Sequence, residues 1–287
     1  MRNGKRLATD ALAKALLLRK RLGIPLTESV SAIDSAERIE IEVRSVDLPS
    51  MEGIYVAGIE PKIILSSMRP QGRRMFTCAH EIGHHMFSHG DQFDELIAEK
   101  SAPRRNAVRE YIADCFATYF LMPKATIDSG MKCRGFSYQS IDPIQAYTLA
   151  SWLGVGYRTL INHLVYGLNS IPRDMANQLL KIEPRDIRQQ LLGRTVTTQL
   201  HLIDSHWIGR AIDCEVGDYL MLPKETTAEG YQLVAIDGGH ERSLMQATAP
   251  GIARVSSASA GWSAFVRISR RGYTGRACFR FEEEVNE

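Results

Sequence analysis

The pentapeptide His80-Glu81-Ile82-Gly83-His84, within FTCAHEIGHHMFSHG at 76–90, is the feature that most restricts this chain. Side chains four residues apart share one face of an α-helix, so the two imidazoles can converge on a single ion while the glutamate stands beside them. The segment is therefore expected to be helical, and another element has to close the third corner of a metal site. Two neutral imidazoles, one further protein ligand and a fourth position open to water describe a hydrolytic zinc centre rather than a structural one. Zinc brings the pKa of bound water down toward about 7, and Glu81 is placed to take the proton. Three fixed residues also recur by chance, so the motif needs support from elsewhere in the chain.

That support comes from NAVREYIADCFATYFLM at 106–122, where Val108, Tyr111, Ile112, Cys115, Phe116, Tyr119 and Phe120 recur at helical spacing and Pro123 ends the run. Glu110 and Asp114 lie one turn apart on this second helix. One carboxylate can complete the cage while the other accepts the free N–H of a ligating imidazole and fixes its tautomer. Glu110 is assigned to the metal and Asp114 to His80 or His84; the reverse assignment, with Asp114 on the metal, is the alternative. His85 and His89 are read as surface or second-layer groups. Cys78 and Cys115 are read as small buried hydrophobes, and Cys133, in SGMKCRGFS, as the thiolate that could occupy the open zinc position and hold the site off.

Upstream, apolar residues at 11, 12, 15, 16, 18 and 22 predict a helix over 8–22 with Lys14, Arg19 and Lys20 turned outward, stopped by Gly23 and Pro25. IEIEVRSV (39–46) alternates like a strand with one wet face, and GIYVAG (53–58) and KIILSS (62–67) complete an expected three-stranded sheet. Residues 146–168 form two helical stretches meeting at Gly154–Gly156, a helix-turn-helix outline without a basic recognition face. From Thr195 short strand-like runs alternate with turns. The expected class is α+β: a zincin-like domain over 1–190, with the helix-turn-helix-like part at about 140–190, then a β-rich domain over 191–287.

Composition narrows the setting. The net charge is +2 with 24% charged residues, so a nucleic-acid or membrane partner would have to be met by a local patch. Five scattered cysteines without a CxxC pair suit a reducing compartment. The N-terminal apolar stretch is broken by Lys14 and is too short for a secretory signal or a span, so a cytoplasmic location and no membrane partner are expected.

RRMFTCAHEIGHHMFSHG followed by EYIADCFATYFLMP resembles the ImmA/IrrE metallopeptidases, and MEGIYVAGIEPKIILSSMRPQGRR is similar to that family's lead-in. The resemblance covers roughly residues 5–170. It implies a gluzincin fold with one Zn²⁺, His80, His84 and Glu110 as ligands and Glu81 as catalytic base. The family often carries Asn where Asp114 stands. It also implies a substrate class: a helix-turn-helix repressor, usually encoded alongside, whose cleavage releases stress, mobile-element or antiphage genes. An edge strand, one of those between 39 and 67, is expected to pair with the extended substrate.

The C-terminal part is read as a sensor. Residues 251–281 contain six arginines and no acidic residue. Arg254, Arg267, Arg270, Arg271, Arg276 and Arg280 with Trp262 and Tyr273 combine phosphate-neutralising and base-stacking groups, which suits single-stranded DNA as a trigger. Solvated arginines alternating with core aromatics, next to the acidic run 282–284, are the plainer reading. A GAF-like module binding a small ligand fits as well, in line with C-terminal domains of the family. One of His201, His206 and His240 could reach the site to polarise a substrate carbonyl. The rival functions are a DNA-binding regulator with a structural zinc and a broad-specificity processing peptidase.

Overall fold

The computed structural model describes residues 2–95, 104–236 and 242–282. In chain order the elements are α1 (Arg2–Arg21), α2 (Ala32–Arg38), β1 (Glu42–Val46), β2 (Met51–Val56), β3 (Lys62–Ser66), α3 (Gln71–Met86), β4 (Gln92–Glu95), α4 (Arg104–Leu121) and α5 (Lys124–Cys133). There follow α6 (Pro143–Leu153), α7 (Tyr157–Asn162), a π-helical turn (His163–Gly167), α8 (Arg173–Leu180) and α9 (Pro184–Leu192). The remainder is β5 (Leu200–Leu202), β6 (Ile212–Glu215), β7 (Tyr219–Leu222), β8 (Thr226–Glu229), β9 (Leu233–Ala235), β10 (Ser243–Ala247), β11 (Gly251–Ser257), β12 (Trp262–Ser269) and β13 (Gly275–Arg276). None of the described helices is long and apolar enough to cross a membrane.

Two compact units result. The first holds Met1–Gly130, Leu153–Gly156 and Thr274–Cys278; the second holds Met131–Trp152, Tyr157–Tyr273 and Phe279–Glu287. Helices do give way to strands between Leu192 and Leu200, near the expected boundary, but the compact division lies elsewhere. Its physical reason is polar bonding between the middle helices and the strand region: Tyr147 Oη donates to Leu200 O (2.7 Å), Arg134 forks onto Asp204 (2.7 and 3.0 Å), and Arg210 Nη1 donates to Trp152 O (2.8 Å).

In the first unit a five-stranded sheet runs in the order β13-β1-β3-β2-β4. β1 and β3 are parallel; the other neighbours are antiparallel. Alternation fixes which face is covered: Val43, Met51, Tyr55, Ile63 and Leu65 are buried, and their neighbours along each strand, the buried Ser66 apart, are more exposed. The three expected strands are present and all internal. The edges are β4 and β13, so the expectation that a strand between 39 and 67 offers a free edge is corrected: each has neighbours on both sides.

Helix α1 buries Ala11, Ala15 and Leu18, and Leu22 just past its end continues the i, i+4, i+7, i+11 stripe. Arg19, expected outside, is fully buried. Its guanidinium donates to Phe120 O at the end of α4 (2.8 Å), to Pro25 O (2.8 Å) and to Glu28 O. A planar five-donor fork can satisfy several converging carbonyls at once, including one a helix terminus leaves open. Burial pulls its pKa down to about 10, against the raising effect of Glu28. Arg19→Met would leave those carbonyls without their donor, and we expect a loss of roughly 2–4 kcal/mol, read from urea unfolding followed by far-UV circular dichroism.

The packing of α3 on α4 positions the site. A Cβ placed on Gly83 would lie 3.1 Å from Ala113 Cα and 3.3 Å from Phe116 Cβ, so the two helices approach as closely as a glycine permits. The buried face of α4 is Ile112, Ala113, Phe116, Ala117, Phe120 and Leu121, whereas Val108 and Tyr111 of the expected apolar face are exposed. The small side chain of Ala113 admits the close contact with Gly83.

The second unit contains two four-stranded sheets, β5-β7-β10-β9 and β6-β12-β11-β8. Each has one parallel pair, β5 with β7 and β6 with β12, and is otherwise antiparallel. Leu220, Leu222, Val255, Val266 and Ile268 lie in its core.

Candidate metal centre

Residues 75 and 77–84 of α3 are buried, because the helix is covered both by the sheet and by α4. His80 and His84 project from one face as the i, i+4 spacing dictates, with ring centroids 4.7 Å apart and their Nε2 atoms 2.9 Å apart. From α4, Glu110 brings Oε2 to 3.2 Å from His80 Nε2 and Oε1 to 3.6 Å from His84 Nε2. Among the described residues these three form the group of histidine, cysteine, aspartate and glutamate donors that could hold a metal ion, their ligand atoms all within 4.8 Å of one another. His84 is fully buried and the Glu110 side chain is 38% exposed, so the cluster meets solvent on its α4 side.

The chemistry of the donor set fits a cation. Asp114 Oδ1 lies 2.9 Å from His80 Nδ1, and an ionised carboxylate only accepts, so Nδ1 carries the proton and Nε2 is left as a lone pair. That lone pair faces a second imidazole nitrogen and a carboxylate. Tetrahedral ligands at about 2.0–2.1 Å from zinc stand roughly 3.3 Å from one another, and the separations of 2.9, 3.2 and 3.6 Å bracket that value. Burial alone would raise the Glu110 carboxyl, but hydrogen bonding at His80 and His84 reverses this and draws it down to about 2, which keeps it an anionic donor.

Glu81 occupies a different flank of α3. It is fully buried, under β2, and a Cβ at Gly53 would fall 2.7 Å from its Oε1 and 2.5 Å from Thr77 Cγ2. The carboxylate thus has room only because position 53 lacks a side chain. Two residues along the same strand, Tyr55 Oη lies 2.7 Å from His85 Nδ1, which accounts for the histidine that neither reaches the cluster nor faces open solvent. His89 turns back from the end of α3 to place Nδ1 2.9 Å from His84 Nδ1. Burial first, then the neighbouring His84 and Arg109, bring its pKa down to about 4, so it is a neutral ring near pH 7. Gly53 and the His89 contact went unread in the sequence; Gly53 in the strand interior was the available signal for a close backbone approach.

Among the described residues, the metal-capable group includes none of the other candidate residues. Cys133 is exposed at the end of α5, accepts from Arg134 Nη1 at 3.5 Å, and is absent from the group of donors. Cys78 is buried and Cys115 half-buried. His163 is buried in the π-helical turn. His201 Nε2 faces Asp218 Oδ2 at 3.2 Å and His206 Nδ1 lies 3.6 Å from Asp204; His240, Glu283 and Glu284 lie outside the described residues. Of the C-terminal arginines, Arg254 meets Glu229 (3.2 Å), Arg267 forks onto Asp213 (2.6 and 2.8 Å), Arg271 meets Asp218 (3.4 Å) and Arg280 meets Asp213 (3.7 Å). Arg276 belongs to the first unit and meets Glu42 at 3.2 Å. Arg270 is exposed, Tyr273 half-buried, and Trp262 is buried with its indole N–H donating to Trp207 O (3.0 Å).

Residues 36–164, which hold α3, α4 and the cluster between them, match the Peptidase M78 family, described as the IrrE N-terminal-like domain. This part of the chain belongs to that family. The α+β arrangement of a small sheet with an HExxH helix fits the zincin-like domain expected of it, and membership points to a peptidase or a regulator-related role. No curated protein is significantly similar to the chain. Among solved structures it is similar to a Mycobacterium tuberculosis transcriptional regulator, at 16% identity and a TM-score of 0.37 over 55% of this chain and 46% of that one. The chain therefore spans less than half the length of that regulator.

Proposed function

We propose that the IrrE-like domain is a zinc-dependent endopeptidase making a limited cut in a helix-turn-helix repressor, so that the genes it silences are expressed. The observation that carries the catalytic part is the convergence of two imidazole Nε2 atoms and a carboxylate within hydrogen-bond range, beside a separately buried glutamate. His80, His84 and Glu110 would hold the ion, with Asp114 fixing the His80 tautomer. Zinc supplies Lewis acidity for a scissile carbonyl and for water. Glu81 takes a proton from the attacking water and returns it to the leaving amine, and its enclosure beneath β2 strengthens both transfers by excluding bulk solvent. The outer strand β4, which follows the HExxH helix, is where an extended substrate segment would add to the sheet.

In this reading the β-rich part is a sensor in a cytoplasmic protein, with single-stranded DNA or a small ligand as the signal. A phosphate-binding surface at 251–281 would have to exchange the carboxylate partners of Arg254, Arg267, Arg271 and Arg280 for phosphates, while Arg270 is exposed. The test incubates the zinc-loaded protein with the helix-turn-helix protein encoded beside it, with and without single-stranded DNA, and maps fragments by mass spectrometry. One zinc-dependent cut is expected. Indiscriminate digestion of unstructured proteins would make it a processing peptidase, and tight binding of duplex DNA without cleavage would make it a regulator with a structural metal.

A further inference from the structure

The two metal-facing histidines are held from behind by different chemistry. His80 has the carboxylate of Asp114 at its Nδ1, while His84, fully buried, has an imidazole there, His89 Nδ1 at 2.9 Å. Between two Nδ1 atoms at this distance a single proton is shared, and where it resides decides which nitrogen of His84 is bare. On His84 Nδ1 it leaves Nε2 as a lone pair aimed at the cluster; on His89 Nδ1 it forces the His84 proton onto Nε2, which then points at His80 and Glu110.

The backbone is built to keep this contact. Ser88 adopts φ +53 and Gly90 φ +80, two left-handed residues bracketing His89, and the His89 amide donates back to His84 O at 3.1 Å. Arg109 Nη1, next to Glu110 on α4, donates to His89 O at 2.9 Å, so the turn is tied to the helix that carries the third donor. The ring stacks on Phe87, with centroids 5.8 Å apart and planes at 29°. A serine in the left-handed region is costly unless its surroundings hold it there, and here the result of holding it is the position of one imidazole.

We propose that His89 is a positioning residue of the metal centre: as a neutral acceptor it keeps the proton of His84 on Nδ1 and presents Nε2 to the ion. The inference rests on the metal-site reading above, and it makes the cage asymmetric, one histidine backed by an anion and the other by a neutral ring. The first ligand is then the more basic donor and the second the more weakly held.

The experiment measures zinc affinity directly by competition with a chromophoric chelator, for the parent, His89→Phe and His89→Asn, alongside the thermal midpoint of each metal-free protein. Phenylalanine keeps the ring and its stack on Phe87 but offers no acceptor; the asparagine amide oxygen stands close to where Nδ1 stood. Expected is a loss of about 10- to 100-fold in zinc affinity for His89→Phe, substantially recovered in His89→Asn, with the metal-free midpoints of the two variants alike. Parental affinity in His89→Phe overturns the proposal, as does an asparagine variant no better than the phenylalanine one. A parent protein that binds no zinc overturns the metal-site reading itself, which a selective loss in one variant does not.

Discussion

Glu81→Gln is expected to bind zinc as the parent does and to cut its substrate about 10²- to 10⁴-fold more slowly. The amide has the shape of the carboxylate and fits the same space under Gly53, where the backbone leaves no room for a larger group. What it lacks is the capacity to accept a proton from water and pass it on. Because Glu81 lies on the sheet side of α3 while His80, His84 and Glu110 gather on the α4 side, the substitution leaves the ligand set untouched. The fully buried position also means that exchanging a carboxylate for a neutral isostere removes a desolvated charge, so thermal stability should hold or rise. Single-turnover cleavage of the repressor, with zinc content determined on the same samples, separates the two properties. Cleavage at the parental rate by a zinc-loaded Glu81→Gln protein would remove Glu81 from the chemistry.

The site was legible in the sequence to the extent that it is local. Helical periodicity brings His80 and His84 together without tertiary information, and the same argument places Glu110 and Asp114 on one face of α4. The pairing of the two helices was inferable only as a requirement, that some element close the third corner. Its physical means, Gly83 against Ala113, could not be told from any other helical glycine. Arg19 illustrates a failure of binary patterning: the 3.6-residue period places polar residues outward, and nothing local signals that three carbonyls converge on a guanidinium inside. Strands β4 and β13 are four and two residues long, too short for alternation to register, and β13 joins the sheet from more than two hundred residues away. The His89 contact depends on Ser88 with φ +53, a conformation that serine does not advertise as glycine would. In the C-terminal strands the expected alternation of arginines with core aromatics does not describe Phe265, which is exposed on the same face of β12 as Arg267, and a list of arginines cannot reveal that Asp213, Asp218 and Glu229, distant in sequence, stand opposite them.

Glu110 and Asp114, one helical turn apart, should differ sharply when removed, and the contrast decides which carboxylate the metal uses. Glu110 approaches both imidazole Nε2 atoms, at 3.2 and 3.6 Å, so Glu110→Ala takes away a ligand and leaves two neutral nitrogens. Two nitrogens rarely retain zinc against competing water, and the loss of affinity should exceed the roughly 100-fold that marks the upper range for groups behind the ligands. Asp114 touches the far side of His80, at Nδ1, and its side chain is 62% exposed. Water can therefore take over part of its hydrogen bond, and Asp114→Ala should sit near the lower end of that range, about 10-fold. Both side chains are partly exposed, at 38% and 62%, and neither belongs to the close contact that Ala113 and Phe116 make with Gly83, so neither change opens a cavity there. Chelator competition on the two variants gives the comparison, with the Asp114→Ala protein still active at saturating zinc and the Glu110→Ala protein inactive throughout. If instead Asp114→Ala abolished zinc binding and Glu110→Ala kept it, Asp114 would be the ligand and the helix would have to turn on loading, since the carboxylate nearest both Nε2 atoms would then be the one that does not bind.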